Sequence, residues 1–214
     1  MPIVILLGGG HAAGKHTAGK FLREELSLRK ETQNYAVHTL DMDEFIITEN
    51  TNTESCSHKP SRFDFESLKK RISELPNDSI AIVIGLYALY DKGLRDSAQI
   101  KVFIDSDADV RLIRWIRREA KVTEDEAESR LILEKVIGQY MNGARSEMTD
   151  YIFPTKEFAD VIFPRGVEAS SVRLIVDGIQ PSSDSFKSTS NQLRPSRFAK
   201  EKFDKEKGKF YELN

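Results

Sequence analysis

Short apolar runs alternate with amphipathic segments along most of the chain. Residues 3–7 read Ile-Val-Ile-Leu-Leu and end at three glycines, a pattern typical of a strand that is buried on both faces. Between residues 15 and 29, Ala18, Leu22 and Leu26 recur at every fourth position, which predicts a helix with one apolar face. The first 30 residues therefore predict a strand, a glycine loop and a helix that packs on the resulting sheet.

The same alternation continues to residue 179. Apolar runs predict further strands at residues 35–40, 80–86, 100–104 and 159–163, and helical spacing predicts helices at residues 65–75, 109–119, 124–140 and 172–179. Strands that alternate with helices favour right-handed crossovers and a parallel sheet. The predicted fold class is α/β, a parallel sheet of about five strands with helices on both faces, and its ligands are expected at the carboxyl ends of the strands.

The character of the chain changes after residue 180. The stretch 181–214 holds repeated serines and then a lysine-rich run, which is typical of a flexible tail. We therefore predict one domain over residues 1–180 and a Ser/Lys-rich C-terminal tail over residues 181–214. Basic residues of the tail could contact RNA or another partner, but a solvated extension is the favoured interpretation.

Composition and charge narrow the class of protein. The 214 residues are 39% hydrophobic and 31% charged, with a net charge of −2. A protein whose main partner is nucleic acid usually carries an excess of positive charge, which this chain lacks. The sequence has one cysteine, Cys56, which excludes an internal disulfide. The apolar start lacks a basic leader and is too short for a membrane span. The sequence therefore predicts a cytoplasmic protein without a membrane partner, and a nuclear location is also open.

A glycine-rich loop follows the first predicted strand. Residues 9–17 fit the pattern G-x-x-x-x-G-K at the start of a helix. Glycines let successive backbone N–H groups turn toward one centre, and the helix start adds its positive dipole end, so the segment predicts a phosphate site of the P-loop NTPase type. Lys15 would reach the β- and γ-phosphates of ATP and is a candidate catalytic residue. The predicted nucleotide-binding residues are Gly9, Gly10, His11, Ala12, Ala13, Gly14, Lys15, His16 and Thr17.

The position after Lys15 departs from the usual pattern. A Ser or Thr hydroxyl normally ligates Mg²⁺ there, whereas this chain has His16, and Mg²⁺ prefers oxygen to imidazole. Thr17 is the nearest hydroxyl and is a candidate metal ligand. One residue along a helix rotates a side chain by about 100°, so Thr17 is turned away from the position of the usual ligand.

Further segments resemble the uridine kinase family of P-loop nucleoside kinases, from residue 3 to residue 180. The most specific match is F-I-D-S-D-A-D-V-R-L-I-R at residues 103–114, close to the family's F-V-D-T-D-A-D-V-R-L-x-R. P-T-K-E-F-A-D-V-I-F-P-R-G at residues 154–166 and G-L-Y-A-L-Y-D at residues 85–91 continue it. The resemblance implies phosphorylation of uridine or cytidine at the 5′-hydroxyl by ATP with Mg²⁺, in pyrimidine salvage, and suggests a homo-oligomer.

The resemblance also implies roles for individual residues. Asp43 matches the catalytic Asp of the family motif D-x-F-Y and would accept the proton of the 5′-hydroxyl, although an Asp after a strand is also a common helix cap. Asp41 would share the face of Asp43 if the second strand extends that far, so both are candidate metal ligands. Arg111, Arg114 and Arg118 share one face of a predicted helix, where they could hold phosphates or face solvent. The implied substrate-binding residues are Phe45, His58, Tyr90, Arg95, Arg118 and Gln139.

Further departures from the family pattern leave alternatives open. Ile84 stands where the family has a Glu that helps to hold magnesium, and Ile46 and Ser57 alter the expected acceptor contacts. Loss of metal ligands would slow phosphoryl transfer while leaving nucleotide binding intact. The sequence therefore also allows a catalytically weakened nucleotide-binding regulatory protein derived from a uridine kinase, or a kinase of another small alcohol.

Overall fold

A parallel β-sheet organises the computed structural model of the chain. Its strands are β1 Ile3–Gly9, β2 Ala36–Asp41, β3 Ser79–Ile84, β4 Ile100–Ile104 and β5 Val161–Phe163. They lie in the order β2-β3-β1-β4-β5, and every neighbouring pair is parallel. The prediction of a parallel sheet of about five strands is confirmed, and the glycine loop leaves the sheet from its central strand.

The structure describes residues 1–30, 32, 34–47, 58–119 and 126–179, without the side chains of residues 126–128 and 169. Residues Met1–Ile179 form one compact unit. The predicted tail at 181–214, the contacts expected of Ser57 and the first two residues of the helix predicted at 124–140 lie outside the described residues.

Helical segments connect the strands. The α-helices are α1 Lys15–Leu28, α2 Phe65–Ser73, α3 Lys92–Ser97, α4 Ala108–Glu119, α5 Glu126–Gln139, α6 Arg145–Glu147 and α7 Ala169–Gly178. Short 3₁₀ segments occupy Met42–Phe45, Pro60–Arg62 and Phe153–Phe158. Two π-helical segments, Tyr140–Ala144 and Met148–Ile152, flank α6. Segments of this type are rare and occur frequently at functional sites.

Two apolar cores lie on opposite faces of the sheet, because successive side chains of a strand point to opposite sides. Leu6, Val83 and Phe103 are fully buried on one face, where α2 packs. Ile5 and Ile82 are fully buried on the other face, where α1 and α7 pack. All residues of β3 are buried, so the interpretation of continuous apolar runs as strands covered by helices is confirmed.

The third strand ends earlier than its apolar run predicts. β3 stops at Ile84, and the residues from Leu86 to Leu89 form a buried turn. Gly85 begins the turn directly against Met42, where a Cβ atom on the glycine would lie 2.4 Å from the methionine sulfur. A buried turn is as apolar as a buried strand, so periodicity does not separate them. α3 and the helical segments between residues 140 and 158 are also absent from the prediction, since they are short or irregular in pitch.

Replacing Gly9 by Ala is expected to lower the free energy of unfolding by about 3 kcal/mol, because strain and a backbone clash add together. The φ angle of Gly9 is 141°, and a Cβ atom there would lie 2.3 Å from the carbonyl oxygen of Ile104. The matched control is Gly138→Ala in α5, where a Cβ atom meets no described atom within 4 Å and alanine should stabilise the helix by about 0.5–1 kcal/mol. Urea unfolding of both variants checks this, and a Gly9→Ala variant as stable as the native protein would contradict it.

Candidate active site

The phosphate loop, residues 9–15, joins the carboxyl end of β1 to the start of α1. Gly14 is the N-cap of α1 with a φ angle of 100°, and Ala12 has a φ angle of 53°. The Ala13 amide donates to the carbonyl of Gly10 over 3.3 Å. Left-handed residues within a turn make concave nests of backbone N–H groups, and a helix start adds unpaired N–H donors. The loop therefore has the backbone form expected of an anion site.

Lys15 lies buried at the base of this loop. Its side chain is 8% exposed, and its Nζ donates to the carbonyl of Gly10 over 2.8 Å. Burial lowers the pKa of Lys15 to about 8, the charge of Asp43 opposes the shift, and the charge of Arg118 adds to it. Asp41 also raises and Arg111 also lowers the pKa of this lysine. The structure thus brings the predicted catalytic lysine, both predicted carboxylates and two predicted arginines into one electrostatic environment.

The two carboxylates follow one another at the carboxyl end of β2. Asp41 is the last residue of the strand, and Asp43 is exposed in the 3₁₀ segment that follows. Asp41 Oδ1 accepts a hydrogen bond of 3.0 Å from the Asp43 amide, and Asp41 Oδ2 lies 3.6 Å from Nδ1 of His16. The condition under which the two residues would share a strand face is not met, because β2 ends at Asp41. Asp41 is the cap, and it leaves the Asp43 side chain free of that role.

The arginines of α4 divide into buried and exposed positions. Arg111 is buried, donates from Nε to the carbonyl of Ser106 over 3.0 Å, and lies against the phosphate loop, since a Cβ atom on Gly10 would be 2.5 Å from its Nη1. Arg118 is exposed and pairs with Glu119 at 3.1 Å. Arg111 is fixed beside the loop, whereas Arg118 is available to a ligand in solvent.

The acceptor side, which we define as Phe45, His58, Arg62, Tyr87 and Tyr90, lies beyond the ends of β2 and β3. Phe45 is half-buried against the core. Tyr90 is 41% exposed and stands edge-on to Tyr87, with ring centroids 5.8 Å apart. Tyr87 is fully buried, whereas the rings of Tyr90 and Phe45 are at least partly exposed and are of the kind on which a base can stack.

Two of the predicted substrate-binding residues, Arg95 and Gln139, lie outside the acceptor side. Arg95 donates from Nη1 to the carbonyls of Leu89 and Tyr90 over 2.8 and 2.5 Å, and its guanidinium lies 3.9 Å from the ring centroid of Phe158. It therefore holds the turn that carries Tyr90. Gln139 is exposed at the end of α5, and Thr17 is exposed on α1.

Comparison with known proteins decides the family. The sequence model described as "Phosphoribulokinase / Uridine kinase family" matches residues 31–171. The chain belongs to this family. It is 35% identical to the Saccharomyces cerevisiae protein named "Putative uridine kinase DAS2", over 99% of this chain and 96% of that protein. It is also 32% identical to a protein of Clostridium tetani named "Uridine kinase", over 77% of this chain and 88% of that one.

A solved structure supports the fold of this family member. The protein from Silicibacter sp. TM1040 named "putative fructose transport system kinase" superposes with a TM-score of 0.56 at 18% identity, over 76% of this chain and 90% of that chain. Together with the family match, the relatives show that the chain is a kinase, a transferase of phosphoryl groups. Within the described residues, each helix is too short or too polar to cross a membrane.

The sequence did not predict the central position of Glu147 in this kinase. Glu147 is fully buried, and it contacts His11 of the phosphate loop as well as three residues of the acceptor side. A single glutamate in a polar segment belongs to no periodic pattern and to no motif. Only the structure therefore shows that Glu147 lies between the phosphate loop and the acceptor side.

ATP binding is expected to take up close to one proton per nucleotide at about pH 9. The folded pKa of Lys15 is about 8 and its ordinary value is 10.5, so the free site holds a largely neutral amine at that pH, and bound phosphates restore its charge. The folded protein binds fewer protons than the unfolded chain between these values, so this lysine also makes stability rise with pH in that window. Calorimetric titration in buffers of different ionisation enthalpy measures the uptake. A Lys15→Met variant should show none, and equal uptake by both proteins would contradict the assignment.

Proposed function

We propose that this kinase transfers the γ-phosphate of ATP to the 5′-hydroxyl of uridine or cytidine, which forms UMP or CMP in pyrimidine salvage. The observation that carries the proposal is the common electrostatic environment of Lys15, Asp43 and Arg118 at the carboxyl end of the sheet, in a chain of the uridine kinase family. The names of the two relatives support the choice of a pyrimidine nucleoside as acceptor.

The transfer needs a base on one side and fixed cations on the other. Asp43 would accept the proton of the 5′-hydroxyl as the new O–P bond forms and the bond between the γ-phosphorus and the ADP oxygen breaks. Lys15 and the phosphate loop would hold the β- and γ-phosphates, and Arg111 and Arg118 would stabilise the charge that develops on the transferred group. Asp43 suits this role because its side chain is exposed beyond the loop and the neighbouring Asp41 serves as the cap.

The residues at this site suit a magnesium ion that binds together with ATP. The described residues contain no cluster of three or more His, Cys, Asp or Glu side chains that could hold a metal ion. Mg²⁺ in kinases is usually bound by one or two carboxylates together with substrate phosphates, and Asp41 and Asp43 supply such oxygens. His16 offers imidazole instead of a hydroxyl and lies beside Asp41. When bound, the ion would neutralise charge on the phosphates.

We also propose which residues contact the nucleoside. Phe45 and Tyr90 would line the space for the base, His58 would face the sugar or base, and Gln139 offers both a donor and an acceptor for a pyrimidine edge. Arg95 would act on the acceptor through the turn that it holds. We further propose a cytoplasmic location, a domain of residues 1–180 followed by a tail, and self-association into a homo-oligomer.

A panel of acceptors tests the proposed substrate. The full chain is incubated with ATP, Mg²⁺ and each of uridine, cytidine, adenosine and a pantothenate-like alcohol, and kcat/KM is measured from ADP and product formation. Uridine and cytidine should exceed the other acceptors by on the order of 100-fold, since a site built to hydrogen-bond one base edge rejects others strongly. A preference for a non-pyrimidine acceptor would overturn the assignment.

A further inference from the structure

A buried carboxylate lies between the phosphate loop and the acceptor side. Glu147 Oε2 lies 2.8 Å from Nε2 of His11 and 3.1 Å from Nδ1 of His58. Its Oε1 accepts a hydrogen bond of 2.6 Å from the hydroxyl of Tyr87 and lies 3.1 Å from Nη2 of Arg62. An ionised carboxylate offers about four acceptor positions. Partners from separate segments of the chain fill them all.

These contacts keep the Glu147 carboxylate ionised. Burial alone raises the pKa of the carboxyl, but the hydrogen bonds from His11 and Tyr87 and the charge of Arg62 outweigh it and hold the pKa at about 2. Each histidine ring must then direct an N–H at Oε2, which places a proton on Nε2 of His11 and on Nδ1 of His58. Removing one donor leaves a buried charge short of a partner, which is costly.

His11 connects this carboxylate to the geometry of the phosphate loop. Its ring stacks on Trp115 of α4, with centroids 4.9 Å apart and planes 13° apart. The next residue, Ala12, has a positive φ angle, a conformation that a non-glycine residue keeps only where surrounding contacts determine it. The contacts to Trp115 and Glu147 supply such a constraint on the first half of the loop.

His58 connects the same carboxylate to the acceptor side. Its ring fits against the π-helical segment before α6, where a Cβ atom on Gly143 would lie 2.1 Å from the ring. The His58 side chain is 31% exposed, so it reaches the surface that an acceptor would meet, while its Nδ1 points to Glu147.

We propose that Glu147 is a positioning residue that couples the acceptor side to the phosphate loop by holding His58 and His11 on one carboxylate oxygen. The acceptor half of this proposal rests on the proposed function. A change at His58 is passed to the loop through Glu147, so the acceptor side alters ATP affinity and ATP alters acceptor affinity by the same factor.

The first test needs no acceptor. ATP affinity of the full chain is measured by calorimetry for native protein, His58→Ala, His58→Asn, Glu147→Gln and the His58→Ala/Glu147→Gln double variant. His58→Ala should weaken ATP binding about fivefold. His58→Asn should not, because its amide N–H stands close to the position of Nδ1. In the Glu147→Gln background, His58→Ala should add nothing. Asp150→Asn, an exposed carboxylate on the following turn, is the matched control and should bind ATP normally.

Two results would overturn the coupling. One is native ATP affinity in His58→Ala, and the other is an effect of His58→Ala that is the same with and without Glu147. If Glu147→Gln does not fold, the comparison of His58→Ala with His58→Asn decides alone, since His58 is partly exposed.

A second measurement separates this proposal from the proposed function. Because ATP itself would react with uridine, the ligand is a non-hydrolysable ATP analogue. The ratio of its dissociation constants without and with saturating uridine should fall toward one in Glu147→Gln, a change that a merely structural role would not cause. An unchanged ratio would count against the coupling. If the ATP results follow expectation but uridine neither binds nor reacts, the coupling stands and the proposed acceptor fails.

Discussion

Replacing Lys15 by Met is expected to lower kcat/KM for ATP by on the order of 10³-fold, because a fixed cation aimed at the transferred phosphate is lost. The same change should leave the free energy of unfolding equal or higher. Lys15 is buried and its pKa is depressed by that burial, so the folded protein bears a desolvation cost that methionine removes. Steady-state kinetics and urea unfolding of one preparation measure both effects.

The matched control for this prediction is Lys20→Met, an exposed lysine on the same helix. It should retain the native kcat/KM, which separates a local effect from a change in net charge. Native turnover by Lys15→Met would remove Lys15 from the mechanism. A large loss of stability would instead show that the lysine has a structural role.

Replacing Asp43 by Asn should lower kcat by about 10²–10⁴-fold, the range for loss of a general base. The dissociation constant for ATP measured without Mg²⁺ should change little, because Asp43 is exposed beyond the loop and does not make the contact that holds Lys15, which is to Gly10. Asparagine keeps the backbone amide that donates to Asp41, so the 3₁₀ segment should persist. Rapid-quench and calorimetric measurements give the two quantities.

Glu44→Gln is the control for Asp43→Asn, since Glu44 is the exposed neighbour in the same 3₁₀ segment. It removes the same charge one residue away and should leave kcat within about twofold of native. Equal kcat values for Asp43→Asn and Glu44→Gln would exclude Asp43 as the base.

The sheet and its central loop could be predicted because their signals are local. An apolar run of five residues before glycines fixed β1, and the G-x-x-x-x-G-K spacing placed Lys15 at the start of α1. The end of β3 could not be predicted, since the turn from Leu86 to Leu89 is as apolar as the strand. The π-helical segments around α6 also lack the regular spacing on which helix prediction depends.

In the candidate site too, residues with a local sequence signal could be predicted and residues without one could not. Lys15 and Asp43 follow strands that the sequence marks clearly, and the structure brings them together. Asp41 and Asp43 would share one face only in a longer strand, and the chain leaves the extended conformation directly after Asp41. Glu147 acts across more than 130 residues of sequence from His11, and no pattern of neighbouring residues carries such a contact.

The proposed reaction moves phosphate from ATP to the 5′-hydroxyl of a pyrimidine nucleoside. Full-length protein with γ-labelled ATP, Mg²⁺ and uridine tests it most directly, with ADP and labelled UMP counted in the same reaction. We expect equal amounts of ADP and 5′-labelled UMP, with both lost in Asp43→Asn. ADP released with inorganic phosphate and without UMP, or bound ATP that stays intact, would contradict it.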